Sequence, residues 1–321
     1  MKAIVVTSFG GPENLELTEQ PKPTPALGQV LVAVEAAGVS LADTLVRQGM
    51  QPDVQPGFTP GLEMAGTVVE VGESVDRTWL NNRVFAMAQE GIKSGCYAEF
   101  VVSDVDQLVP LSPTITAAQA VSVGMNALSA EFAIRRAQVQ AGEQVLVRGA
   151  SGGIGVMLVQ LAARRGATVT VSTSSSERAK RLLKLGASHA VDRAGEPLGG
   201  MAPEMYDVVL DTVAGRDMLT FTDKLHTNGR TVLAGVAGGR PPAELATAII
   251  DPRSLTFSVV SLDAVDEADR LATLHEIFVM VSRGELAPVI HEVLELGQTS
   301  EAHSELEAGK TFGKIVLEVA H

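Results

Sequence analysis

The stretch "VLVRGASGGIGVMLVQLAARRGATVTVSTSSSER", residues 145–178, constrains the chain more than any other. An unbroken apolar run, a glycine-rich turn, a helical pattern and a second β-branched run read as strand, turn, helix, strand. Two such strands joined by a helix are neighbours in a parallel sheet covered on both faces. Glycines stand at 149, 152, 153 and 155, so the G-x-G-x-x-G frame is met as Ala150-x-Gly152-x-x-Gly155. In that frame the middle glycine lets backbone N–H groups approach a pyrophosphate at the helix N-terminus, and the last lets the helix sit close to its strand. Alanine at the first position fits if its φ is negative. A tight turn of purely structural use would carry the same glycines, so the surrounding rhythm has to separate the two readings.

That rhythm changes twice. From Met1 to about Pro113 the chain is short β-like runs broken by Gly, Pro and Asn, such as "KAIVVTSF", "QVLVAVEAAGV" and "MAGTVVEVG". Short strands with turn signals between them suggest a barrel or sandwich, and only "LADTLVRQG" (41–49) reads there as helix. From residue 114 long helices alternate with strands. Strands are expected at 145–148, 168–172, 190–191, 208–211, 230–235 and 256–260, the six that a doubly wound sheet requires. The tail reverts, with "VIHEVLEL", the helical "TSEAHSELEAG" and a final strand "GKIVLEV" that is expected to pack back on the first domain. The 321 residues also exceed the size at which one core stops growing, which makes two domains the natural division.

The second strand of the opening stretch should end in an acid if the ligand is NAD, because a carboxylate there takes the ribose 2′-hydroxyl. Here stand Ser172, Thr173, Ser174, Ser175 and Ser176, followed by Arg178. Hydroxyls can donate to a 2′-phosphate and the guanidinium can pair with it, so the residues favour NADPH. The competing reading is that Ser174–Ser176 cap a helix starting near Glu177, with Arg178 on a solvated face.

Composition excludes other classes. Lys and Arg number 25 against 38 Asp and Glu, a net charge of −13, which argues against nucleic acid and anionic membranes. The single cysteine, Cys96, permits no intramolecular disulfide and no multi-cysteine metal site, and fits a reducing compartment. No window approaches a membrane span, and the amino terminus reads as a strand rather than a signal segment, so the expected location is the cytoplasm. A zinc dehydrogenase would need Cys or His ligands near "GVSLADT" and "GLEMAG", where Ser40 and Leu62 stand instead. The six histidines (189, 226, 275, 291, 303, 321) are read as solvated or packed imidazoles, mostly on helix surfaces or ends, and no metal is expected.

The ordered set "GVSLADTLVRQGM", "PGLEMAGTVVEVGESV", "GCYAEFVV", "VSVGMNAL", "VLVRGASGGIGVMLVQLA", "KLGASHAVD", "YDVVLDTVAG", "NGRTVLAGVAGG" and "LEAGKTFGKIVLEV" resembles the zinc-independent quinone oxidoreductase branch of the medium-chain dehydrogenase/reductase superfamily, from Met1 to Ala320. The resemblance implies an α/β chain: a six-stranded doubly wound parallel (Rossmann) sheet in a dinucleotide-binding domain, 121–264. It implies also a GroES-like, β-barrel-type catalytic domain formed from both chain ends, 1–120 and 265–321. It implies NADPH as cofactor and a quinone, enone or enal as small-molecule substrate. Pyrophosphate contacts fall on Ser151, Gly152, Gly153 and Ile154, and the 2′-phosphate site on Ser172, Thr173 and Arg178. Arg193 stands where the family often has a tyrosine, and Asp211, Gly235, Val236 and Lys310 match further cofactor-contacting regions. For the substrate, Ser40 replaces a family asparagine, Met50 a frequent tyrosine and Asn126 a threonine facing the nicotinamide, while Tyr97 lines the cleft or packs the barrel. Ser40, Asn126 and Tyr97 are therefore the candidate catalytic residues, with the proton expected from water. A homodimer through strand 253–262 is also implied. Two alternatives stay open: an enoyl-thioester reductase, for which Arg47, Lys93, Arg135 and Arg136 are the nearby cations, and a non-catalytic NADPH-binding protein.

Overall fold

The computed structural model describes residues 1–88, 95–248 and 250–320, and divides the chain into two compact units, Met1–Met125 with Leu271–His321, and Asn126–Arg270. The first unit opens with an antiparallel ribbon, β1 (Lys2–Val6) on β2 (Leu15–Glu19). Next comes β3 (Gln29–Val39), whose eleven residues organise the rest of the unit. Helix α1 (Leu41–Arg47) follows directly, started by a reciprocal capping box in which Ser40 and Asp43 satisfy each other's backbone N–H groups. Strands β4 (Glu63–Val71), β5 (Arg83–Met87), β6 (Phe100–Asp104) and β7 (Val109–Pro110) complete this part. One edge of β3 takes β4, and the other takes β6 along its first half. Helix α2 (Ala117–Ala137) spans the division between the units.

In the second unit, β8 (Gln144–Arg148) is buried along Val145, Leu146 and Val147 without alternation, as a central parallel strand must be. Helix α3 (Gly153–Arg164) leads to β9 (Thr168–Ser172), and α4 (Ser176–Lys184) to β10 (His189–Val191). Then come β11 (Tyr206–Asp211), α5 (Met218–Thr222), β12 (Leu225–Leu233), α6 (Leu245–Ala248) and β13 (Thr256–Val259). All six strands run parallel in the order β10-β9-β8-β11-β12-β13, the doubly wound arrangement expected from the sequence. Strand β12 begins five residues before its expected start at 230. The strand takes in Asn228 at φ 64° and Gly229, with a register shift against β11.

Helix α7 (Glu267–Ser282) returns the chain to the first unit. There β14 (Ile290–Glu295) pairs in parallel with β15 (Lys314–Glu318), and helix α8 (Thr299–Glu307) joins them. β15 pairs antiparallel with the second half of β3, so the last strand closes the sheet that the amino-terminal strands began. The histidines depart in part from expectation. His189, His226 and His291 lie in strands rather than on helix surfaces, while His303 on α8 is wholly enclosed, a packed imidazole as expected. Among the described residues no helix is long and apolar enough to cross a membrane.

Candidate functional site

The carboxyl ends of β8, β9, β11 and β12 and the turns that follow them carry the sequence-predicted cofactor residues apart from Lys310. Gly149 has φ +70°, and a Cβ there would sit 2.1 Å from Thr212 Oγ1. Ala150 is buried and is not among the residues with positive φ, which meets the condition for an alanine in the frame. Gly152 is the N-cap of α3 and brings no side-chain cap, so the first N–H groups of a twelve-residue helix have no capping side chain. A Cβ on Gly152 would touch only Gly149 O, at 3.5 Å, whereas one on Gly155 would come within 2.2 Å of the same oxygen. Open space at 152 and close approach at 155 are the two properties that a pyrophosphate turn needs. Gly153 makes room for Asn126, whose amide nitrogen would lie 2.6 Å from a Cβ at that position. Asn126, 7% exposed, therefore packs against the turn.

At the end of β9, Ser172 donates to Asp192 O at 3.2 Å, and the hydroxyls of Ser151 and Thr173 lie 3.4 Å apart, joining the first two strand ends. Ser175 caps α4 by accepting from Arg178 N at 3.2 Å, so the capping reading of this serine run holds for one residue of it. Arg178 is half-buried and Arg193 exposed. Asp192 turns its carboxylate onto its own loop, where Ala194 N and Glu196 N donate to it. Asp211 is enclosed at the end of β11, paired with Arg148. Gly235 lies against Thr212, and Val236 is exposed. Lys310 follows α8 in the first unit.

The first unit holds a different kind of centre. Tyr97, fully buried, donates to Asp43 Oδ2 at 2.9 Å, and Ser40 Oγ donates to the same oxygen at 2.8 Å. Burial pushes the Asp43 carboxyl and the Tyr97 hydroxyl above their ordinary values, the Ser40 and Tyr97 donors opposing the shift at Asp43. Glu63 and Lys314, at 0% and 3% side-chain exposure, form an ion pair at 2.6 Å, and Glu63 also accepts from Met125 N. Burial raises Glu63 too, against the pull of Lys314. Gly38 leaves space for this pair, since a Cβ there would lie 2.5 Å from Glu63 Oε1 and 2.7 Å from Lys314 Cε. The Arg47 guanidinium is enclosed on Glu307, and His303, held to a pKa of about 3 by burial and by Arg47, stands edge-on to Tyr97. Met50 is exposed. Glu63, Lys314 and Arg148 escaped the sequence reading, although each is a charge inside an apolar strand run, "LEMAG", "GKIVL" and "VLVRG". Among the cations considered for a thioester, Arg47 is thus enclosed, Arg135 is engaged by Glu131 and Asp269, and Lys93 lies outside the described residues.

Residues 26–113 match the family described as alcohol dehydrogenase GroES-like domain, and residues 185–317 the family described as zinc-binding dehydrogenase. The quinone oxidoreductase of Mus musculus is 31% identical, with 99% of this chain and 97% of that protein covered. A mycobacterial protein solved in complex with NADPH is similar at TM-score 0.87 and 27% identity, over 99% of this chain and 100% of that one. An NAD-dependent alcohol dehydrogenase is similar at TM-score 0.88 and 25% identity, over the whole of both chains. Likeness of fold therefore does not choose between the two nicotinamide cofactors. Full-length identity to quinone oxidoreductases, with the Rossmann sheet and the GroES-like match, shows that the chain belongs to the quinone oxidoreductase-like branch of the medium-chain dehydrogenase/reductase superfamily, a family of nicotinamide-dependent oxidoreductases.

Proposed function

We propose that the chain reduces quinones or α,β-unsaturated carbonyls with NADPH and without a metal. The observation that carries the cofactor choice is the end of β9, where Ser172, Thr173 and Ser174 stand in place of a carboxylate and Arg178 follows in the first turn of α4. The glycine turn fits the rest of a dinucleotide through the open face of Gly152 and the uncapped N-terminus of α3. Ser151, Gly152, Gly153 and Ile154 would hold the pyrophosphate, Ser172, Thr173, Arg178 and Arg193 the 2′-phosphate, and Gly235, Val236 and Lys310 further parts of the cofactor. When bound, the cofactor supplies the hydride.

The chain's own part is orientation and exclusion of water, with Asn126 packed on the turn as the positioning side chain on the cofactor side. Ser40 and Tyr97 each direct a hydroxyl proton at Asp43 Oδ2, which supports water as the source of the proton that completes reduction. Ser40 and Leu62 offer no zinc-binding pair, and quinones and enones need less carbonyl polarisation than ketones do. The quinone oxidoreductase relatives support that acceptor class.

A homodimer along β13 completes the reading. The strand ends the sheet order, and Val259 is 62% exposed. The double variant Phe257→Lys/Val259→Lys should elute as a folded monomer, and an unchanged elution volume would refute the pairing.

The deciding experiment follows NADPH oxidation, with a matched NADH control, against one ortho-quinone and one 2-alkenal. Turnover with NADPH and little with NADH is expected. Equal rates would overturn the cofactor choice, and tight NADPH binding without turnover on either acceptor would overturn the quinone or enone reading in favour of the enoyl-thioester reductase or the non-catalytic binding protein.

A further inference from the structure

Arg148 and Asp211 end adjacent strands in register, at the carboxyl ends of β8 and β11. Their side chains are 5% and 0% exposed, and Arg148 Nη1 lies 2.5 Å from Asp211 Oδ2. The other carboxylate oxygen accepts from Val213 N at 2.8 Å and Ala214 N at 3.0 Å. The guanidinium also donates to Ala214 O at 3.4 Å, and its carbon lies 4.7 Å from the Phe221 ring centroid. Asp211 thus spends its carboxylate on the turn that follows it, in which Ala214 holds φ +53°, a region unfavourable for a side chain with Cβ.

That turn is tied to both of its neighbours. Thr212 Oγ1 donates to Arg148 O at 3.0 Å, directly over Gly149. After β12, Ala237 N donates to Thr212 O at 3.2 Å and Gly238 N to Val213 O at 2.7 Å. Three strand ends therefore share one node, and the buried charge pair is its centre. The sheet order sets β9 on one side of β8 and β11 with β12 on the other. With the 2′-phosphate at the end of β9, the nicotinamide half of a dinucleotide falls to the β11 and β12 side.

We infer that Arg148 and Asp211 are positioning residues that hold the strand-end turns receiving the nicotinamide half of the cofactor. The inference rests on the dinucleotide reading above. Without Arg148, Asp211 is a buried anion with no cation, and the turn at 211–214 loses the clamp on Ala214 O.

Calorimetry on the full chain tests this with two ligands, NADPH and adenosine 2′,5′-bisphosphate, which carries only the adenosine half. Arg148→Met should weaken NADPH by about tenfold or more and leave the fragment within about twofold. Arg148→Met/Asp211→Asn, which removes both charges, should recover part of the NADPH loss. An equal loss for both ligands, or none for NADPH, would overturn the assignment. Should Arg148→Met fail to fold, Thr212→Val carries the test, since it removes one tie between the turns and is expected to give a smaller loss of the same selectivity. A wild-type chain that binds neither ligand would instead sink the dinucleotide reading itself.

Discussion

The two units differ in how far enclosed side-chain charge fills their candidate sites. At the strand ends of the six-stranded sheet the proposed cofactor turn offers backbone, open at Gly152 and at a helix without a side-chain cap, with the Arg148–Asp211 pair enclosed beside it. In the first unit the enclosed groups are side chains, Asp43 and Arg47 on α1, Glu63 on β4, His303 on α8 and Lys314 on β15, all nearly or fully buried. A backbone site needs space, and its failure mode is a methyl group in the wrong place. A buried charge cluster needs partners, and its failure mode is an unpaired ion. The difference makes separate forecasts for the two regions.

The largest effect should come from Lys314→Met. The substitution keeps the stem in its buried slot and leaves Glu63 without the ammonium at 2.6 Å. Breaking a buried pair costs about 3–5 kcal/mol, on the order of 10 °C in Tm for a chain of this size. The effect has a definite pH dependence. Glu63 is already raised above 4.5 in the folded chain by burial, with Lys314 pulling it down, so removal of Lys314 raises it further. A raised carboxyl contributes stability below its unfolded value and loses it as pH climbs through the folded one. Thermal scans should therefore show the gap from wild type widening as pH rises through the raised folded value of Glu63 and narrowing on acidification below it. A gap independent of pH would show that the pair matters only as packing.

Tyr97→Phe comes next. It removes one of the donors to Asp43 Oδ2 but leaves Ser40 N and Ser40 Oγ, each at 2.8 Å, on the same oxygen. Loss of one buried hydrogen bond costs about 1–3 kcal/mol. With water as proton source, kcat should fall much less than the roughly hundredfold that removal of a general acid brings. A drop of that size would make Tyr97 a proton donor and would give the charge cluster a chemical role.

The same contrast explains what was legible. The six-stranded parallel sheet and the glycine turn are written in local spacing, because a parallel strand, a tight turn and a close helix each restrict residue type within a few positions. The return of the tail to the first sheet was also readable, from the reversion to short strands. The charge cluster was not. Tyr97 reaches Asp43 across 54 positions and Arg47 reaches Glu307 across 260, and no spacing rule links them. Ser40 looked like a substrate contact by its place in a motif, yet its hydroxyl is bound into the start of α1 by Asp43, three residues on. Asp211 looked like a cofactor contact, yet its carboxylate is filled by Arg148 and two backbone N–H groups. In both cases the side chain is committed to a partner that the motif does not name.

Arg178→Ala sharpens the backbone region by testing its charged exception. Loss of a charge-assisted contact to a 2′-phosphate should raise the KM for NADPH by about tenfold, roughly 1.4 kcal/mol, with the KM for NADH unchanged. Equal effects on both cofactors would move Arg178 out of the 2′-phosphate site and back to a solvated face of α4.

The smallest effect belongs to Ser175→Ala, and it separates capping from recognition within one run of serines. Ser175 Oγ accepts from Arg178 N at 3.2 Å, so the substitution leaves an N-terminal N–H of α4 without its cap. Such a loss costs about 1 kcal/mol and should appear as a small fall in Tm. Ser172 and Thr173, at the strand end itself, are untouched, and the ratio of kcat/KM for NADPH to that for NADH should stay within about twofold of wild type, since the cap bond is spent within the helix. A larger shift in that ratio would mean that the serine serves helix and phosphate at once and joins Ser172, Thr173 and Arg178 in side-chain recognition.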